Sequence, residues 1–150
     1  MDISNINWLA VFAASLSSFA IGAIWFGPKT FYPMWIRAMG REVPTERINM
    51  SGGETALMFG GTYVAALVQV ATLAVIIELA RAASITVDWS TGAVIGLAFG
   101  AGLGAFGSLS HRLFGAADFK VVRSLKVWIL EVGQDVVSLI VAGIILGAWF

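Results

Sequence analysis

Two carboxylic acids, Glu131 and Asp135, lie four residues apart in the last strongly apolar stretch of the chain. Ser138 continues this row at helical spacing and Gln134 lies at its edge, so a helix places these polar side chains on or beside one face. Such a pair can hold a cation or pass a proton, and it can equally form hydrogen bonds that join two helices. The spacing leaves both possibilities open.

The composition indicates what surrounds these acids. The chain has 150 residues, of which 59% are hydrophobic and only 12% are charged. A soluble domain usually has about a quarter of its residues charged, so this composition predicts a chain surrounded mostly by lipid. The net charge is zero, which argues against binding to nucleic acid.

The depth of the two acids in a bilayer determines what they require. Counted at about 1.5 Å per residue from Lys126, Glu131 lies roughly 7–8 Å and Asp135 roughly 13 Å into the membrane. A charge near the bilayer centre costs about 2.5–3.5 kcal/mol on insertion scales, so Asp135 should face other helices or water and have a partner. If the acids serve only to join two helices, each interhelical hydrogen bond contributes about 0.6 kcal/mol on average.

Partners for both acids can be named from the sequence. The groups within long-side-chain reach of Glu131 are His111, Arg112, Arg123 and Lys126. We expect one of them to hold Glu131. Polar residues at similar depths make a small intramembrane pocket geometrically possible, and its members would be Ser15, Ser18, Gln69, Gln134, Asp135 and Ser138.

The chain offers few groups for catalysis or metal binding. It has no cysteine and one histidine, His111, which excludes thiolate sites and a multi-histidine metal site within one chain. His111 could contact a pigment or metal with the help of another chain, but we favour the simpler interpretation that it completes the carbonyls of a last helical turn. We therefore expect no catalytic residues, no metal and no cofactor, with bound lipid as the only ligand.

Crossing about 30 Å of hydrocarbon takes roughly 20 apolar residues. Stretches of this kind occur at about residues 7–26, 55–79, 91–109 and 126–149. We therefore expect a single all-α domain, residues 1–150, in the form of an integral membrane four-helix bundle.

The basic residues predict how the bundle is oriented. Eight of them lie in the first and third loops, namely Lys29, Arg37, Arg41, Arg47, Arg112, Lys120, Arg123 and Lys126. The second loop has only Arg81. Because basic loops stay in the cytoplasm, both termini should lie on the extracytoplasmic side.

Tryptophans mark the expected interfaces. Five of the six lie near a predicted helix end, where an indole can sit among headgroups: Trp8, Trp25, Trp89, Trp128 and Trp149. The sixth, Trp35, belongs to the first loop, in an aromatic segment of residues 31–37. This segment is predicted as a short interfacial helix, and an ordinary loop anchored by its aromatic rings is the alternative.

Glycines recur every four residues in the third span, at Gly92, Gly96, Gly100 and Gly104. Residues at this spacing share a helix face, and a glycine row lets a second backbone approach closely. The fourth span has a second, shorter pair, Gly143 and Gly147. We expect these glycine zippers to pack helices of the same chain, with contact to another protein as the alternative.

Several short motifs of this chain occur together in a known family of membrane proteins. They are residues 6–10 (INWLA), 25–28 (WFGP), 113–115 (LFG) and 143–149 (GIILGAW). Together they resemble the domain of unknown function 1761 family of small bacterial membrane proteins with four predicted helices. The resemblance implies a four-helix layout and a bacterial inner (cytoplasmic) membrane, and it implies neither an activity nor a cofactor.

Two functions follow from these features. The first is a non-catalytic structural or accessory subunit that packs with itself or with a larger membrane complex. The alternative is a small oligomeric transporter or channel-like protein that uses Asp135 and Glu131 as a proton or cation relay. An enzyme is the least favoured class, because a nucleophile or metal set is lacking.

Overall fold

The computed structural model describes residues 5–46, 49–115 and 120–149, and in these ranges the regular structure is helical, without strands. The helices are α1 (Trp8–Trp25), α2 (Tyr32–Ala38), α3 (Gly52–Ala82), α4 (Trp89–Ala98), α5 (Phe106–Phe114) and α6 (Val121–Ala148). A π-helical segment, Phe99–Ala105, joins α4 to α5 without a break. Arg47, one of the predicted loop cations, lies outside the described residues.

Among the described residues, four helices are long and apolar enough to cross a membrane. They are α1, α3, the continuous helix Trp89–Phe114 and α6. The described helices extend beyond the predicted spans at several ends: α6 begins at Val121 instead of near residue 126, and the third long helix continues to Phe114. Consequently His111 and Arg112 belong to a helix and not to a loop.

Polar side chains set the starts of three helices. Asn7 accepts hydrogen bonds from the backbone N–H groups of Leu9 and Ala10 at the start of α1. Ser51 and Glu54 form a capping box, which lets α3 begin directly at two glycines. Asp88 caps α4 by accepting a hydrogen bond from the N–H group of Thr91.

Helix α6 is the centre of the bundle. Helices α1 and α4 pack along it, and α3 packs mainly against α1. We call the end that holds α2, the end of α5 and the start of α6 the basic end, and the opposite end, where α1 starts and α6 finishes, the terminal end. The largest fully buried side chains of the core are Leu73, Ile77, Val11, Val70 and Ser15.

Glycines bring α4 and α6 into backbone contact near the terminal end. A Cβ atom at Gly92 would overlap the carbonyl oxygen of Gly143, and a Cβ atom at Gly143 would overlap that of Gly92. Gly96 and Gly147 lie equally close to the opposite backbone. This contact lies within one chain.

The row of four glycines does not stay on one face. Gly100 lies against α6, where its Cβ atom would be 3.1 Å from Val136 Cα, but a Cβ atom at Gly104 would come no closer than 4.0 Å to any atom, the carbonyl oxygen of Phe99 in its own segment. The π segment accounts for this difference, because its wider turns break the four-residue repeat of an α-helix. Packing of Gly104 against another helix of the chain was therefore a wrong expectation.

The first loop contains a helix of seven residues, α2, with a proline in its first turn. Its Ile36 is buried, and Gly40 follows it with a φ of +76°, a conformation that favours glycine. Of the two conformations that the sequence left open here, the structure has the helix.

Candidate functional site

A polar cavity of about 330 Å³ lies between α5 and α6 at the basic end. Its lining residues are Ser108, His111, Arg112, Gly115, Trp128, Glu131, Val132 and Asp135. Four of these eight residues are ionisable, and each belongs to the predicted polar row or to the expected partners of Glu131: His111, Arg112, Glu131 and Asp135. The cavity is therefore the candidate functional site.

The facing sides of two helices, α5 and α6, form the walls of this cavity. From α6 come Trp128, Glu131 and Asp135, at spacings of three and four residues, which put them on one face. Ser108 and His111 share the facing side of α5. The close backbone contact with α6 ends in the π segment. In α5, which follows, no glycine lies against α6, so the two helices leave space for these polar groups.

Glu131 is the carboxylate that joins three helices. It forms an ion pair with Arg112 of α5, and the indole nitrogen of Trp35 in α2 donates a hydrogen bond to it at 3.1 Å. The pairing with one of four basic residues was expected, and the structure selects Arg112. The side chains of Arg112 and Glu131 are 38% and 30% exposed, so the protein encloses this ion pair only in part.

Tryptophans hold the walls of the cavity in place. The indole nitrogen of Trp128 donates to Ser108 Oγ at 3.1 Å and to the carbonyl oxygen of Ala105 at 3.2 Å, which ties α6 to the end of the π segment. Trp25 of α1 donates to the carbonyl oxygen of Leu130 at 3.0 Å. Trp25 and Trp128, which the sequence predicts as headgroup anchors, thus both donate their indole N–H groups to the protein.

Asp135 lies one helical turn beyond Glu131, further from the basic end. It is partly buried, and in the described ranges it has no hydrogen bond and no ion pair. A carboxylate at this depth of an apolar helix is costly unless a cation, a proton or water compensates it. The cavity provides room for such a group.

The six-residue polar pocket expected around Asp135 is not formed. Gln134 donates to Ser138 Oγ at 2.8 Å, and Ser18 of α1 donates to the backbone carbonyl of Ser138 at 3.4 Å. Ser15 lies within hydrogen-bonding distance of the Tyr63 hydroxyl, 3.3 Å away, while Gln69 is exposed on α3.

Helix geometry explains the division. Neighbouring residues of an α-helix point about 100° apart. Gln134 and Ser138 therefore face α1, while Asp135 faces α5 and the cavity. Depth along the membrane could be estimated from the sequence, but this rotation could not.

His111 lies in the cavity wall, opposite the acids of α6. Its side chain is exposed, and its backbone carbonyl accepts a hydrogen bond from the N–H group of Gly115 at 2.9 Å, so the backbone itself closes the helix end. Among the described residues, no three histidine or acidic side chains gather in a group that could hold a metal ion.

The fold and the composition define the class of protein. Within the described residues the fold is all-helical, and several helices are long and apolar enough to cross a bilayer, which indicates the class of helical membrane proteins.

The chain belongs to the family described as protein of unknown function (DUF1761), whose model matches residues 9–147. No curated protein and no solved structure matches the chain.

Proposed function

We propose that this chain is a small, non-enzymatic transporter of the bacterial inner membrane that carries protons or a small cation by way of Asp135 and Glu131. Its termini would lie outside the cytoplasm, and its basic end would face inward. Of the two functions that the sequence left open, the cavity between α5 and α6 favours this one.

The observation that carries the proposal is the position of Asp135 in the wall of a polar cavity. A carboxylate held among apolar helices without a compensating side chain attracts a cation or a proton. Glu131 lies one helical turn nearer the basic end, where Arg112 and Trp35 hold its carboxylate in the wall of the same cavity.

The tight α4–α6 contact supports a carrier over an open channel. Near the terminal end, Gly92 and Gly143 leave no space between the two backbones. A solute bound at Asp135 therefore cannot pass toward the terminal end between α4 and α6 unless these two helices separate at their glycines. In a carrier, alternating access depends on such a movement of packed helices relative to each other.

Proton flux into sealed liposomes tests the proposal. The purified chain is reconstituted with a trapped pH dye, and a potassium diffusion potential drives proton entry, with Na⁺ and K⁺ gradients tested in parallel. We expect flux above that of empty liposomes, and we expect Asp135→Asn to abolish it.

Glu78→Gln is the matched control, because it also removes a carboxylate but at the terminal end, where Glu78 pairs with Arg81. It should retain the flux. The proposal is refuted if the wild-type protein gives no more flux than empty liposomes. It is also refuted if the wild type and Asp135→Asn give equal flux.

A second candidate is self-association through α3, which the first half of this helix favours. Cβ atoms at Gly60 and Gly61 would meet nothing within 4 Å, and Leu57 is 78% exposed. Leu57, Gly61, Val64 and Val68 recur at spacings of four, three and four residues, so they form one face. Glycine on an unpartnered membrane face allows the backbone of another helix to approach.

Light scattering in mild detergent tests this second candidate. Gly61→Leu should reduce the oligomeric fraction of the purified chain. Gly102→Leu places the same side chain at another glycine with free space around it and should leave that fraction unchanged. A wild-type chain that is monomeric in detergent and in bilayers would remove this candidate.

A further inference from the structure

A second cavity lies at the basic end, between α2 and the first turns of α6. It has a volume of about 580 Å³, and its lining residues are Arg37, Ala38, Lys120, Val121, Val122, Arg123 and Lys126. Four of these seven residues are basic, the other three are apolar, and none is acidic. The polar cavity at Asp135 is lined by different residues, so this is a separate site.

The backbone of the first loop positions one of the cations. The guanidinium group of Arg123 lies against Gly40, where a Cβ atom would be only 2.5 Å from its Nη1 atom. Gly40 has a φ of +76°. Both observations indicate that a residue with a side chain at position 40 would displace Arg123 or strain the loop.

The start of α6 carries positive side chains, although a helix N-terminus favours negative charge. The helix dipole and the free N–H groups there favour an anion. However, α6 has no acidic residue in its first turn and no side-chain hydrogen bond at its N-cap, and the basic Arg123 and Lys126 lie on its first turns instead. An anion bound in this cavity would compensate both the cations and the dipole.

The apolar part of the lining indicates the source of that anion. Val122 is 70% exposed and Val121 is 41% exposed beside the basic groups. A free inorganic anion gains nothing from contact with these apolar side chains, whereas a phospholipid can cover them with its glycerol and upper acyl carbons. The cavity also lies at the start of α6, a helix long and apolar enough to span a bilayer, and anionic headgroups would be found at such a helix end.

We propose that this cavity binds the phosphate group of an anionic phospholipid, held by Arg37 of α2 and by Arg123 and Lys126 of α6. Arginine is suited to this role because its planar fork can donate two hydrogen bonds to one phosphate. The bound lipid would join α2 to α6 and so stabilise the basic end of the bundle.

Thermal unfolding in mixed micelles tests the proposal on the full chain. Phosphatidylglycerol should raise the Tm of the wild-type protein in a saturable way, and phosphatidylcholine should not. The apparent affinity for phosphatidylglycerol should fall about fivefold for each charge removed in Arg37→Gln, Arg123→Gln and Lys126→Gln. Arg123→Lys should recover part of the loss.

Arg41→Gln is the matched control, because it removes a cation of the same loop that does not line the cavity. It should bind phosphatidylglycerol as the wild type does. Each variant is first checked for a single symmetric peak in size exclusion, and Arg37→Gln, which lies on α2, tests the site without altering α6.

Three results would overturn the proposal. Equal stabilisation by inorganic phosphate without lipid would assign the site to a free anion. An equal loss in Arg41→Gln would reduce the effect to the overall charge of the loop. Unchanged binding in the three cavity variants would remove the site.

Discussion

The backbone contact between α4 and α6 leads to a sharp prediction about stability. The change is Gly143→Ala, which adds one methyl group. The new Cβ atom would overlap the carbonyl oxygen of Gly92, lie 2.9 Å from its carbonyl carbon and lie 3.3 Å from Gly96 Cα. No rotamer change relieves this overlap, because every atom involved belongs to a backbone. The two helices must move apart.

The size of the effect follows from known costs. Overpacking a tight interior typically costs about 1–3 kcal/mol, and a conflict between two backbones belongs near the upper end of that range. The higher helix propensity of alanine compensates little, because membrane helices persist in the unfolded reference state. We therefore expect Gly143→Ala to lower the free energy of unfolding by about 2–3 kcal/mol.

Gly60→Ala is the matched control. The substitution is identical, but nothing lies within 4 Å of the added atom, so we expect a change below about 0.5 kcal/mol. The assay is reversible unfolding of the purified protein in mixed micelles at increasing mole fractions of dodecyl sulfate, followed by tryptophan fluorescence. The reasoning is refuted when Gly143→Ala is as stable as Gly60→Ala.

Three further predictions concern the charged groups. Hydrogen bonds from Thr91 and Ser90 lower the pKa of Asp88 to about 2. The stability that Asp88 contributes is therefore present above the unfolded pKa of about 4 and is lost as the pH falls toward 2. In an acid titration, Asp88→Asn should lack this loss of stability. A double-mutant cycle with Arg112→Gln and Glu131→Gln should give a coupling energy below about 1 kcal/mol, because the pair is partly exposed, and a larger coupling would mean that the pair is effectively buried. A cysteine introduced at Arg41 is unique in this cysteine-free chain and should react with an impermeant maleimide only after spheroplasts are permeabilised, while labelling of intact spheroplasts would reverse the orientation.

Local properties of the chain could be predicted from its sequence. Hydropathy predicted four long apolar helices, and short motifs near both ends indicated the family that the chain belongs to. The paired spacing of Glu131 and Asp135 singled out the helix face that lines the polar cavity. These predictions succeed because the length and polarity of a membrane helix depend on the residues of that helix alone.

What the tertiary structure decided is how each helix is rotated and which groups meet. Asp135 turns toward α5 and away from Ser15 and Gln69, and Glu131 takes Arg112 and Trp35 as its partners. The π segment has no clear signal in an apolar, glycine-rich stretch, yet it ends the glycine row. Helices in lipid meet through the fit of their surfaces, and that fit depends on every neighbour at once, so no single segment contains it.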